Sequence, residues 1–137
     1  MIMKHILTRI VLSAALLALP AQAFAKNPIE GQWTNPKGNV TVRIDSCGSG
    51  YCGTVVNASA KAKEKARKGG TTRLIGTLVM RDLRPTGKGT FKGKAFDPKH
   101  NVHAPATVRM VGPTTLVVKG CLISGIVCKE QRWNRTG

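Results

Sequence analysis

The chain has 137 residues, with 22 Lys and Arg against 6 Asp and Glu, a formal net charge of +16, and 42% hydrophobic but only 4% aromatic side chains. That length bounds it to one domain of ordinary size with a thin core. So large a positive excess speaks to association with anions such as lipid head groups, cell-wall polymers or nucleic acid and not to fold, while the few aromatics argue against a surface that stacks bases.

Residues 1–25 read as a cleaved secretory signal. Lys4, His5 and Arg9 form a basic start, Ile10 to Leu19 an apolar run broken by Ser13, and Pro20 leads into Ala21-Gln22-Ala23-Phe24-Ala25, with cleavage expected after Ala25. A membrane span needs about 20 continuous apolar residues, and Gln22 and Lys26 end this stretch too soon. The expected product, residues 26–137, is periplasmic or secreted, has no transmembrane segment and keeps 20 basic against 6 acidic side chains, a net +14.

Alternation of period two then predicts eight strands. In chain order they are 31–34, 39–46 (Val40, Val42 and Ile44 against Thr41, Arg43 and Asp45), 52–57, 74–83, 90–96, 101–111, 114–122 and 126–135. Asn35-Pro36-Lys37-Gly38, Gly48-Ser49-Gly50, Pro85-Thr86-Gly87-Lys88-Gly89, Asp97-Pro98, Gly112-Pro113 and Ser124-Gly125 supply the dihedral angles that tight reversals need. Consecutive hairpins make an antiparallel meander, and closing it leaves no free edge. The expected fold is therefore an all-β, eight-stranded, up-and-down barrel, with an open sandwich as the competitor.

One segment departs from that pattern. Ser59 to Lys68 is rich in helix formers, begins at a capping Ser and stops at Gly69-Gly70, which predicts one short basic helix. Lys61, Lys63, Lys65, Arg67 and Lys68 against Glu64 make it the densest positive patch, either an anion-docking surface or simply a solvated face.

Cys47, Cys52, Cys121 and Cys128 form an even set in an exported chain, which reads as two disulfides rather than a metal site. Three pairings are open. The turns inside Cys47–Cys52 and Cys121–Cys128 favour local bridges.

Catalytic signatures are thin. His100 and His103 are three apart at a strand start, which sends their side chains to opposite faces and argues against a metal clasp. No nucleophile elbow surrounds a serine, no paired carboxylates suit acid and base work, and no glycine-rich phosphate loop opens a helix. Asp82 reads as a surface charge paired with Arg81 or Arg84. A non-catalytic protein without cofactor is expected.

The chain ends are more telling. Gly31-Gln32-Trp33 opens the first strand and Gln131-Arg132-Trp133-Asn134-Arg135 closes the last, and in a closed meander those strands are neighbours. The arrangement resembles that of lipocalins, where a Gly-x-Trp seals one barrel end and an arginine of the last strand covers the indole. Stacking a guanidinium on that ring contributes roughly 1–2 kcal/mol while its nitrogens bond loop carbonyls. Arg135 is the expected partner of Trp33, with Arg132 the alternative if the register slips.

Ile29-Glu30-Gly31-Gln32-Trp33, Val42-Arg43-Ile44 running into Cys47-Gly48, Tyr51-Cys52-Gly53, Leu74-Ile75-Gly76, Phe96-Asp97-Pro98, Leu116-Val117-Val118-Lys119-Gly120-Cys121 and Trp133-Asn134-Arg135 together resemble the bacterial family called domain of unknown function 2147. The resemblance implies a small exported protein with a lipocalin-like barrel and no established activity. The chain departs from the family in carrying few aromatics around the Asp-Pro turn. Two binding roles follow as expectations. One is a calyx for a small apolar or amphipathic ligand, lined by Val42, Ile44, Val108 and Met110; the other is a cationic interaction protein that docks on an anionic envelope surface or an acidic protein.

Overall fold

The computed structural model describes residues 26–122 and 127–137. Eight strands, β1 (Gly31–Thr34), β2 (Val40–Cys47), β3 (Gly50–Ala58), β4 (Leu78–Gly87), β5 (Thr90–Asp97), β6 (Val102–Met110), β7 (Thr115–Leu122) and β8 (Val127–Arg135), form a closed barrel in which every neighbour is antiparallel. Closure is made by β1 against β8, with Trp33 opposite Arg135 and Thr34 opposite Asn134. The helix α1 (Ala60–Lys68) follows β3; the Ser59 hydroxyl accepts from the Ala62 N–H at 3.1 Å, satisfying one of the amides a helix start leaves free. The expected signal segment and the Ser124-Gly125 turn lie outside the described residues.

The fourth strand starts later than the alternation suggests. Leu74 is buried, but Gly76 takes a left-handed φ of 92° in a turn closed by the Thr77 N–H on the Leu74 carbonyl at 3.0 Å, so pairing begins only at Leu78. At its other end β4 runs through Pro85 to Gly87, because register shifts there remove the need for a proline N–H. Asp82 does not pair with its arginine neighbours. It adopts a left-handed φ of 52° at a bulge, and the ion pairs among the described residues are Glu64 with Arg67 and Asp97 with His100.

Both cystines are local. Cys47 is joined to Cys52 across the β2–β3 turn with Cα atoms 5.6 Å apart, and Cys121 to Cys128, directly opposite on β7 and β8, with Cα atoms 4.0 Å apart. In an up-and-down meander these crosslinks pin opposite ends of the barrel.

The interior is filled. Trp33, Val42, Ile44, Leu83, Val108 and Leu116 are all 0% exposed and belong to one apolar cluster that also holds Met80, Phe91 and Trp133. Tyr51 meets Phe91 edge to face at 5.6 Å between centroids. Both mouths are stopped. At one, Trp33 donates from Nε1 to the Ile29 carbonyl at 2.8 Å, and the Arg135 guanidinium lies 4.2 Å from the indole centroid. Arg135 donates from Nε to the Pro113 carbonyl and from Nη1 to the Glu30 carbonyl, both at 3.0 Å, and from Nη2 to the Pro28 carbonyl. Gly31 is required beside it: its φ is +141°, and a Cβ there would meet the Arg135 guanidinium and sit 2.7 Å from the Gly137 carbonyl oxygen.

At the other mouth α1 crosses from one side of the barrel to the other. The Ser59 N–H donates to the Asn39 carbonyl in the β1–β2 loop at 2.9 Å, while Gly69 packs so tightly on the β5–β6 turn that a Cβ would lie 2.6 Å from the Lys99 carbonyl oxygen. Those loops belong to strands half a barrel apart. Between them Ala62, Ala66 and the following Leu74 join the core cluster.

Trp33→Ala is expected to cost about 3–5 kcal/mol and Arg135→Ala about 2 kcal/mol. In a double-mutant cycle read by urea unfolding the pair should couple by about 1 kcal/mol, whereas additivity within about 0.5 kcal/mol would show that the stack does not hold the barrel shut.

Candidate functional site

The four residues expected to line a calyx are core residues. Val42, Ile44 and Val108 are fully covered and Met110 packs against the same cluster. Two concavities flank α1 instead, both shallow and on the surface. One, of about 200 Å³, is lined by Gly38, Asn39, Thr41, Asn57, Ala58 and Ser59; the other, of about 170 Å³, by Lys63, Arg67, Thr72, Arg73, Leu74 and Ile75.

Of the barrel-closure candidates, Gly31, Trp33 and Arg135 meet at one mouth. Arg132 does not. It faces outward opposite Val117 and is exposed, because on β8 it has the opposite parity to Trp133 and Arg135, whose side chains turn in.

The helix divides the five basic candidates. Ala62 and Ala66 face the barrel, so the cations fan out to either side and into water. Lys61 and Lys65 share one flank, and the β1–β2 loop with Lys37 and the β5–β6 turn with Lys99 meet the two ends of the helix. Their mutual effect is legible in Lys65, whose stem is partly covered while its ammonium stays in solvent: the charges of Lys99, then Lys61, then Lys37, with desolvation the smallest contribution, hold its pKa below the usual lysine range. On the other flank Lys63 and Arg67 share a depression with Arg73. Lys68 is exposed in the last turn, where with Lys65 and Arg67 it complements the negative end of the helix dipole.

Few carboxylates offset these charges. Glu64 is held by Arg67, while Asp97 lies 2.7 Å from His100 Nδ1 and accepts from the Lys99 N–H at 3.0 Å. Lys37, Lys99 and Arg73 were not marked by the sequence pattern. Meander parity could have found Lys37 and Lys99, since the first, third and fifth connections must emerge at the same barrel end.

Positive charge also covers the barrel wall. Arg81 stands opposite Lys94 and Arg84 opposite Lys92 across β4 and β5, a like-charge ladder that costs a few tenths of a kcal/mol per pair. His103 stacks on Phe96 with ring centroids 4.5 Å apart. Among the described residues no three of His, Cys, Asp or Glu gather as a metal cluster would require, and no helix is long and apolar enough to cross a membrane.

A family profile described as an uncharacterized protein conserved in bacteria (DUF2147) matches residues 31–135. The chain belongs to that family. A search of curated proteins finds no match. Among solved structures, the barrel is similar to HP1028 of the human pathogen Helicobacter pylori, a protein described as belonging to the lipocalin family: 15% identity, 82% of this chain and 85% of that chain covered, TM-score 0.63. At that identity the likeness establishes a lipocalin-like fold for this DUF2147 member.

Because the charged form of Lys65 is disfavoured in the folded state, repulsion weakens the fold below the lysine range, neutral pH included, and is relieved as pH rises into that range. Lys65→Gln, nearly neutral in helix propensity, should therefore raise the melting temperature at low ionic strength, and the gain should vanish near about 0.5 M salt. An equal loss at both salt concentrations would mean the four lysines do not share one field.

Proposed function

We propose that this DUF2147 protein is an exported, non-catalytic binding protein that docks through its α1 end onto an anionic component of the cell envelope. The observation that carries this reading is that the β1–β2 loop with Lys37 and the β5–β6 turn with Lys99 meet the two ends of α1, through the Ser59 N–H on the Asn39 carbonyl and the packing of Gly69 on Lys99, which sets both lysines at one barrel end with Lys61 and Lys65; the charges of the other three disfavour the charged form of Lys65. Cations held together against their mutual repulsion make a field that a multivalent anion relieves, and the filled interior leaves the surface as the place to bind. Two cystines and a bacterial family of this kind fit a periplasmic or extracellular setting. The lipocalin-like fold favours binding over turnover. The two mature histidines are engaged, one with Asp97 and one with Phe96. An acidic partner protein would meet the same rim.

A calyx for a small apolar or amphipathic molecule is the second reading. It is favoured by the fold and by the lightness of the cover, since α1 lays only Ala62 and Ala66 on the core. It requires the helix to lift and the side chains of Val42, Ile44, Val108 and Met110 to part.

The test compares two triple variants of equal charge change. Lys61→Glu/Lys65→Glu/Lys99→Glu alters the rim, and Arg84→Glu/Lys92→Glu/Lys94→Glu alters the barrel wall. At about 1 kcal/mol per cation near an anionic surface, the rim variant should lose roughly a hundredfold in affinity for anionic vesicles and elute from immobilised heparin at much lower salt, with the wall variant far less affected. Equal losses would show that net charge alone governs binding. For the calyx, an apolar fluorescent probe should show no saturable uptake; stoichiometric uptake abolished by Val108→Trp would favour the second reading instead.

A further inference from the structure

We propose, resting on that docking reading, that the anionic partner is a lipid bilayer, and that the turn after α1 and the first residue of β4 insert Ile75 and Leu78 into its apolar layer while Lys63, Arg67 and Arg73 hold lipid phosphates beside it. Ile75 is 46% and Leu78 42% exposed, two of the three large apolar side chains left in solvent among the described residues. Single exposed aliphatics are ordinary and decide nothing. What decides here is the company Ile75 keeps: it lines the same depression as Lys63, Arg67 and Arg73, and Leu78 follows three residues on at the start of β4.

The turn is also fixed in place. The Thr71 N–H donates to the Ala66 carbonyl at 2.8 Å, the Gly76 N–H to the Val55 carbonyl at 2.8 Å, and the Thr77 N–H to the Leu74 carbonyl at 3.0 Å. Leu74 is buried and anchors the turn in the core, so its neighbour Ile75 is presented outward by a backbone tied to both helix and barrel. Side chains displayed on a rigid support lose little entropy on insertion.

A bilayer sets a plane of phosphates directly over hydrocarbon, and cations beside aliphatic tips match that order, with the long stems of Lys63, Arg67 and Arg73 able to bridge the two layers. An acidic protein surface would offer carboxylates without that apolar layer. The Lys37, Lys61, Lys65 and Lys99 cluster on the opposite flank of α1 supplies attraction toward the same surface.

The experiment uses the mature chain with both disulfides intact. Ile75→Ser/Leu78→Ser changes exposed positions and keeps every charge. Its partition into phosphatidylglycerol-containing vesicles should weaken about tenfold or more, while its salt-dependent elution from immobilised heparin stays as in the parent. Ile75→Trp should shift its emission to the blue on adding those vesicles and be quenched by brominated acyl chains. Unchanged vesicle partition in the serine pair, or an unmoved and unquenched tryptophan, would overturn insertion while leaving the electrostatic docking reading in place. Loss of heparin retention along with vesicle binding in the serine pair would assign these residues to the basic surface itself and overturn the lipid assignment. A parent protein that binds neither heparin nor vesicles would instead defeat the docking reading on which this rests.

Discussion

Arg135 on Trp33 is the contact on which the rest of the barrel depends. An eight-stranded meander has two free edges until its first and last strands pair, and here β1 is only 4 residues long, with Trp33 opposite Arg135, Thr34 opposite Asn134 and Gln32 bonded through its backbone to Thr136 and Gly137. So short a strand makes a narrow seam. The guanidinium reinforces it by covering the indole and tying down the carbonyls of Pro28, Glu30 and Pro113, so one side chain joins the N-terminal segment, the first strand, the last strand and the β6–β7 loop. A charged donor satisfying several carbonyls and stacked on a ring is stronger than neutral hydrogen bonds alone.

Closing the seam has a consequence for recognition. With Trp33 plugging one mouth and α1 laid over the other, large apolar side chains fill the space between, and the fold that in an open barrel could hold a ligand inside becomes a solid support. On the proposed reading, binding is then left to the rim. The helix is suited to that place because its barrel-facing residues are alanines, which lets it lie close, while every longer side chain it carries projects into solvent. The like-charged neighbours it gathers would be a liability in a purely structural element, since nothing in the core requires them.

Most of the architecture was legible in the chain. Strands with one buried face announce themselves by alternation, as Val42, Ile44 and Val108 do, and the capped, glycine-terminated run from Ser59 to Lys68 could be little else but a helix. The fourth strand was misplaced because Leu74-Ile75-Gly76 looks like strand by composition, whereas Gly76 turns the backbone left-handed and sends Leu74 alone into the core. Choosing Arg135 over Arg132 required a register, since one residue of slip reverses a side chain. The filled interior was not legible, because alternation says which residues face in and not whether their volumes leave a gap. Nor were Lys37, Lys99 and Arg73 visible as partners of α1. Lys37 and Lys99 lie far from α1 in sequence, and only the parity of the meander brings their loops to its end; Arg73 follows the helix closely, but its place beside Lys63 and Arg67 depends on how the turn before β4 folds back.

The central claim is that recognition belongs to the α1 end of a closed, filled barrel. Hydrogen–deuterium exchange of residues 26–137 with and without anionic vesicles tests it most directly. The account predicts new protection at residues 35–39, 59–78 and 97–101, which share that end, and none at residues 48–49, 88–89 and 111–114 at the other. Protection confined to the opposite end, or altered exchange of the interior strands with α1 unchanged, would contradict it.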